Sequence, residues 1–101
     1  MEHHVYFWLK EEHQGHEDRQ RFEEGLRKLF EIPQVSGGIF GKPADVMKRP
    51  VIDESWDYAT SMTFDSVESQ DAYQVHPAHE AFISEFSTWW DKVQVRDLEA
   101  L

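Results

Sequence analysis

Residues 3–10 read HHVYFWLK. β-Branched and aromatic side chains dominate the stretch, so it reads as a strand. Successive side chains of a strand point to opposite faces of its sheet. His3, Val5, Phe7 and Leu9 therefore share one face, and His4, Tyr6, Trp8 and Lys10 the other. Both faces are substantially apolar. Such a strand needs cover on two sides, and the rest of the chain decides what can supply it.

Working outward, residues 11–15 (EEHQG) are a polar loop. From residue 16 to about residue 30 the period turns helical: Phe22, Leu26, Leu29 and Phe30 fall at i, i+4, i+7 and i+8. Glu17 and Asp18 stand in the first turn and Arg27 and Lys28 in the last, as the helix dipole prefers, and Pro33 stops the helix. Residues 34–41 (QVSGGIFG) form a second strand weakened by glycines. A long polar loop with Pro43 and Pro50 follows over residues 42–54, and loops of that length are often functional. Residues 55–64 are a third strand in which Trp56, Tyr58, Thr60, Met62 and Phe64 alternate with Asp57, Ala59, Ser61 and Thr63. Asp65-Ser66 caps a short helix ending near residue 75, with Asp65 and Glu68 at capping-box spacing. His76-Pro77 breaks it and starts the last helix, with Pro at the first helical position. There His79, Phe82, Ile83, Phe86, Trp89 and Trp90 share one broad face. Residues 92–98 (KVQVRDL) alternate as a fourth strand. The order β-α-β-β-α-β, with right-handed crossovers, gives an α+β fold. It is a four-stranded antiparallel sheet with the helices on one face, the ferredoxin-like plait.

A chain of 101 residues has room for one domain, taken as residues 1–101. Its core is marginal at this size, and with no cysteine neither a disulfide nor a thiolate metal site can supplement it. The absence of cysteine also fits a cytoplasmic home. The net charge of -10 repels nucleic acid and anionic lipid, and no apolar run approaches the roughly 20 residues that span a bilayer. Two helices cover one sheet face and leave the other bare. A bare apolar face marks an interaction site. A second copy packed sheet to sheet would close the pair into an α/β barrel. Burying Tyr6 and Trp8, beside Ala59 and Ser61, would contribute at most about 3–6 kcal/mol per chain.

Residues 63–69 (TFDSVES) and 72–79 (AYQVHPAH), with the histidine-bearing first strand, residues 29–33 and Gly41, resemble the stress-responsive A/B barrel family, also called Dabb or dimeric α/β-barrel domains. The resemblance spans nearly the whole chain, and Tyr-x-x-His-Pro-x-His is its most specific part. It implies a ferredoxin-like plait dimerised through its sheets. One plant branch of the family consists of cofactor-free polyketide cyclases that perform an intramolecular aldol condensation. The resemblance to that branch implies catalytic roles for Tyr73 and His79 and a place in the pocket for His3. The chain departs from the branch at Ile83 beside Phe82, at Gly25 and at Arg21. Ile83 would fill a channel and Gly25 open another, so a different substrate is implied.

With the odd face of the first strand under the helices, His3, Tyr73 and His79 converge. The ligand-facing set is then His3, Val5, Phe7, Leu9, Phe22, Leu26, Phe82 and Phe86. A desolvated neutral histidine hydrogen-bonded to a phenol acts as a general base, and the phenol stabilises enolate charge. A core histidine satisfied by a backbone carbonyl or by Tyr73 would give the same pattern. His76 is read as ordering the helix start. His76 and His79 lack the further ligands a metal needs, so no metal or other cofactor is expected. Gly37-Gly38 lacks the spacing of a phosphate loop. Three functions fit: a homodimer holding a small hydrophobic or aromatic molecule; a cofactor-free enzyme, either cyclase-like or a dimeric-barrel monooxygenase; or a structural stress protein without a ligand. A cavity beside His79 is what separates the last from the others.

Overall fold

The computed structural model describes residues 1–101. The strands are β1 (Glu2–Leu9), β2 (Gly37–Gly41), β3 (Tyr58–Thr63) and β4 (Trp90–Leu98), and the helices α1 (His16–Leu29), α2 (Val67–Gln74) and α3 (Pro77–Phe86), with single 3-10 turns at Glu11–His13 and Ser87–Trp89. The strands pair antiparallel in the order β2-β3-β1-β4, the ferredoxin-like plait. No helix is long and apolar enough to cross a membrane.

The odd face of β1 lies under the helices. Phe7 and Leu9 join Tyr58 and Met62 of β3, Phe22, Leu26 and Leu29 of α1, Tyr73 of α2, and Phe82 and Phe86 of α3 in one buried cluster. Phe22 sits at its centre, with ring contacts to Phe7, Tyr58, Phe82 and Phe86. Gly25 belongs to this packing. A Cβ there would stand 2.4 Å from the Phe86 ring, so the position seats a ring, and Gly25 also lines a second cavity of about 190 Å3 between α1 and α3, beside Leu29, Ala78 and Ala81.

Several boundaries differ from the sequence reading, each for a local reason. β2 starts at Gly37 because residues 34–36 still turn out of α1, with Val35 N–H donating to the Ile32 carbonyl. Gly38 has φ +129°, and a Cβ there would lie 2.0 Å from the Ser61 carbonyl oxygen, so only glycine fits. β3 starts at Tyr58 because the Asp53 carboxylate accepts from both the Ser55 N–H and its hydroxyl, holding residues 53–55 in a turn. Of the Asp65-Ser66 pair, Ser66 is the α2 cap: its hydroxyl accepts from Ser69 N–H at 3.1 Å, and the Asp65/Glu68 box does not form. Trp90 opens β4 and does not extend the last helix. The register jumps from Trp8↔Lys92 to Leu9↔Trp90, a bulge at Asp91.

The second face carries His4, Tyr6 and Trp8 of β1, Ala59 and Ser61 of β3 and Ile39 of β2, which is 75% exposed. It is not wholly bare. Residues 51–56 fold back across one end of it: Trp56 meets Tyr6 edge to face at 5.3 Å, and the Ser55 hydroxyl accepts from Trp8 Nε1 at 3.0 Å. Tyr6 and Trp8 are therefore half-buried within one chain.

Candidate functional site

The Tyr-x-x-His-Pro-x-His run makes a corner. Burial of the Tyr73 side chain anchors the last turn of α2. His76 N–H donates to the Tyr73 carbonyl at 3.1 Å and closes that turn. Pro77 opens α3, and His76 Nδ1 accepts from Ala78 N–H at 3.0 Å as its cap. The first turn of α3 then presents His79 to Tyr73. Their rings meet at 4.7 Å, inclined 61°. His76 thus orders the corner, while Tyr73 and His79 face inward.

Inward of this corner lies a cavity of about 170 Å3, between the sheet and the two shorter helices. His3, Val5 and Phe7 of β1 line it, with Thr60 of β3, Tyr73 and Gln74 of α2, and His79 and Phe82 of α3; Leu29 and Trp90 also contribute. Ile83, Val93 and Val95 line it and are partly exposed, which puts its open side at the β4 edge. Of the residues expected to face a ligand, His3, Val5, Phe7, Phe82, Tyr73 and His79 come together here. Leu9, Phe22, Leu26 and Phe86 do not line this cavity; they fill the core beside it, because α1 packs flush against the sheet through Phe22 and Leu26. Ile83 stands at the wall of this cavity.

Three polar rings converge on the cavity. His3, 4% exposed, has Nδ1 at 2.5 Å from the Asp97 carboxylate, directly across from it on β4. A carboxylate only accepts, so Nδ1 is the donor in this bond. The His3 and Tyr73 ring centres are 6.2 Å apart. Burial pushes the Tyr73 phenol well above its ordinary range. Burial likewise lowers the His79 imidazole below its ordinary 6.5, and nearby His3 adds to this, while the Gln74 carbonyl and Glu80 pull the other way. At neutral pH the site is therefore an uncharged base beside an uncharged phenol. The imidazole meets the phenol edge to face and makes no hydrogen bond to its hydroxyl, unlike the sequence reading.

Sequence reasoning missed Asp97 and Thr60. Thr60 had a signal: it is the one polar member of the Tyr58/Thr60/Met62 row that the strand buries. Asp97 needed the β1–β4 register. No three His, Asp or Glu side chains gather to hold a metal.

Over 66 residues the chain is 32% identical to olivetolic acid cyclase of Cannabis sativa, a match that covers 65% of this chain and 62% of that protein. A Dabb family protein with a ferredoxin-like fold from Mesorhizobium loti superposes with a TM-score of 0.81 at 25% identity, over 99% of this chain and 95% of that one. A dimeric ferredoxin-like protein of unknown function from Jannaschia sp. CCS1 superposes with a TM-score of 0.77 at 24% identity, over 98% and 97% of the two chains. The sequence pattern of the stress responsive A/B barrel domain matches residues 1–100, and the chain belongs to that family.

Proposed function

We propose that this chain works as a single-domain homodimer in the cytoplasm, and that each subunit binds a small aromatic molecule bearing oxygen in the cavity beside Tyr73 and His79. One observation carries the reading. Tyr73 is 3% exposed, yet its hydroxyl has no hydrogen-bond partner in the chain and lines a cavity with mostly apolar walls. That hydroxyl is open to the cavity and not sealed, so an oxygen on a bound molecule can reach it and supply the partner. The size fits too: an apolar cavity of about 150 Å3 takes up benzene. Titration with phenol, followed by NMR, tests the reading. Tyr73→Phe should weaken binding by roughly two- to tenfold, the worth of one hydrogen bond. A wild-type spectrum that phenol does not perturb overturns it.

The neutral His79 supports a second reading, cofactor-free acid–base chemistry leading to ring closure, the relative being named a cyclase. A substrate carbonyl would accept a hydrogen bond from Tyr73. His79 would take a proton from the adjacent carbon, and the C–H electron pair would move onto the carbonyl oxygen as an enolate. Attack on a second carbonyl of the same molecule would form the new C–C bond, and the imidazolium would return its proton to the resulting alkoxide. Exchange of the methyl protons of acetophenone in D2O tests this step. Wild-type exchange above buffer, lost in His79→Ala while binding persists, supports an enzyme. No exchange above buffer leaves a binding protein.

A further inference from the structure

We infer that a separate, polar cavity between α1 and the end of β2 binds a small zwitterion with an apolar side chain, the chemistry of a free aliphatic α-amino acid. This cavity shares no lining residue with the one beside Tyr73 and His79, so the inference stands apart from the reading above.

The cavity measures about 280 Å3. Arg19 and Glu23 line it from α1, Phe40, Gly41 and Lys42 from the end of β2 and its exit, and Tyr58 from β3. Arg19 and Glu23 are four residues apart, so they project from the same side of the helix. Both are fixed before any ligand arrives. Asp57 and the Gln14 carbonyl each accept from Arg19 at 2.9 Å, and the guanidinium stands 5.5 Å from the centre of the Tyr58 ring. The Tyr58 hydroxyl donates to one Glu23 oxygen at 2.6 Å, and the other oxygen has no partner in the chain. Burial, with Glu23 beside it, pushes that phenol up to about 12, so at neutral pH it keeps its proton and goes on donating to the carboxylate. Lys42 pairs with no carboxylate of the chain.

The charges select the ligand. Arg19 and Lys42 are balanced by Glu23 and Asp57, although the chain as a whole carries a net charge of -10. A lone anion drawn to Lys42 and Arg19 meets Glu23. A lone cation drawn to Glu23 meets the two basic groups. Each carries a repulsion with its attraction, and that is how a site rejects a wrong partner. A carboxylate and an ammonium a few bonds apart satisfy both ends with charge-assisted hydrogen bonds. Phe40 gives an apolar side chain a wall to pack on. Gly41 keeps the entrance clear, since nothing stands within 4 Å of where its Cβ would be.

NMR titration with L-valine, isovalerate and isobutylamine tests this, because the last two are valine without its ammonium and without its carboxylate. Wild type should bind valine roughly tenfold or more tighter than either, the worth of one charge-assisted hydrogen bond, with the Gly41 and Lys42 amides shifting. Glu23→Gln, which keeps an acceptor for Tyr58, should weaken valine about tenfold and leave isovalerate no weaker. Lys42→Gln, a change at an exposed side chain, should weaken valine and leave isobutylamine no weaker. Valine that leaves those amides unmoved overturns the inference. So does isovalerate or isobutylamine binding as tightly as valine, or a valine affinity that either variant leaves unchanged. Thermal melts of the two variants show that they fold.

Discussion

His79 joins the chemistry of the cavity to the stability of the fold. Its imidazole titrates below 6.5 when folded, chiefly because burial disfavours the charged ring. The unfolded chain takes up that proton near pH 6.5 and the folded chain does not. The stability contributed by this group is therefore complete above pH 6.5 and is lost as pH falls through the folded value. Urea unfolding at pH 7.5 and pH 5.5 should show an acid-induced loss that is smaller in His79→Gln than in wild type. Equal losses would mean that burial does not hold the ring neutral. The same shift extends the range in which His79 can accept a proton, so the acid limb of any acetophenone exchange should lie below the ordinary imidazole range. The corner that holds His79 was legible because it depends on neighbours in sequence: the Tyr73 turn, the His76 cap and Pro77. Asp97 was not, because it reaches His3 across 94 positions and only through a register that a bulge at Asp91 displaces by one residue.

Among the elements, the helices were easier to read than the strand ends. The stripe of Phe22, Leu26 and Leu29 places α1, and the structure buries those three residues. Strand ends are set by competing side-chain bonds, such as those of Asp53 to Ser55, and alternation alone does not reveal them. Trp89 and Trp90 continue the helical stripe of α3, yet the chain tightens into a 3-10 turn at Ser87–Trp89, and Trp90 enters β4. The contact between α1 and α3 explains Gly25, which the sequence suggested as an opening. Phe86 leans on the bare Cα, with its nearest ring atom 2.4 Å from where a Cβ would be. Gly25→Ala should thus cost stability even though alanine favours helices. Overpacking of this kind costs about 1–3 kcal/mol, against a helix-propensity gain of about 1 kcal/mol. Phe86→Leu in the same background should recover part of the loss, because the shorter side chain vacates the crowded site. The check is a double-mutant cycle from urea melts, and simple additivity of the two changes would show that the ring does not need the glycine.

At the scale of the whole molecule, the proposed pair must bring two strongly acidic chains together. The proposed contact is the sheet face opposite the helices, where Ile39 protrudes beside small Ala59 and Ser61. These residues line a shallow groove with Trp56, so a protruding Ile39 and a groove lie on the same surface. A twofold pair can set each Ile39 against the other chain's groove, as an isologous contact requires. The residues 51–56 that fold over Tyr6 and Trp8 already bury part of what a partner would cover, so the gain from those two rings is smaller than a bare face would give. Apolar contact must also overcome repulsion between two chains of net charge -10. Salt screens that repulsion over a distance of about 10 Å at 0.1 M and about 3 Å at 1 M, while apolar burial is not weakened by it. Pairing should therefore tighten as sodium chloride rises from 0.02 to roughly 0.5 M, the reverse of an association held by opposite charges. Sedimentation should show twice the 12.0 kDa chain mass at micromolar concentration, with a dissociation constant that falls as salt is added. Ala59→Arg, which places two like charges in the contact without touching the helix-side core, should leave a folded chain that sediments at 12.0 kDa. A pair that survives Ala59→Arg would move the contact away from this face, and a wild-type chain that stays at 12.0 kDa in high salt would remove the pair altogether.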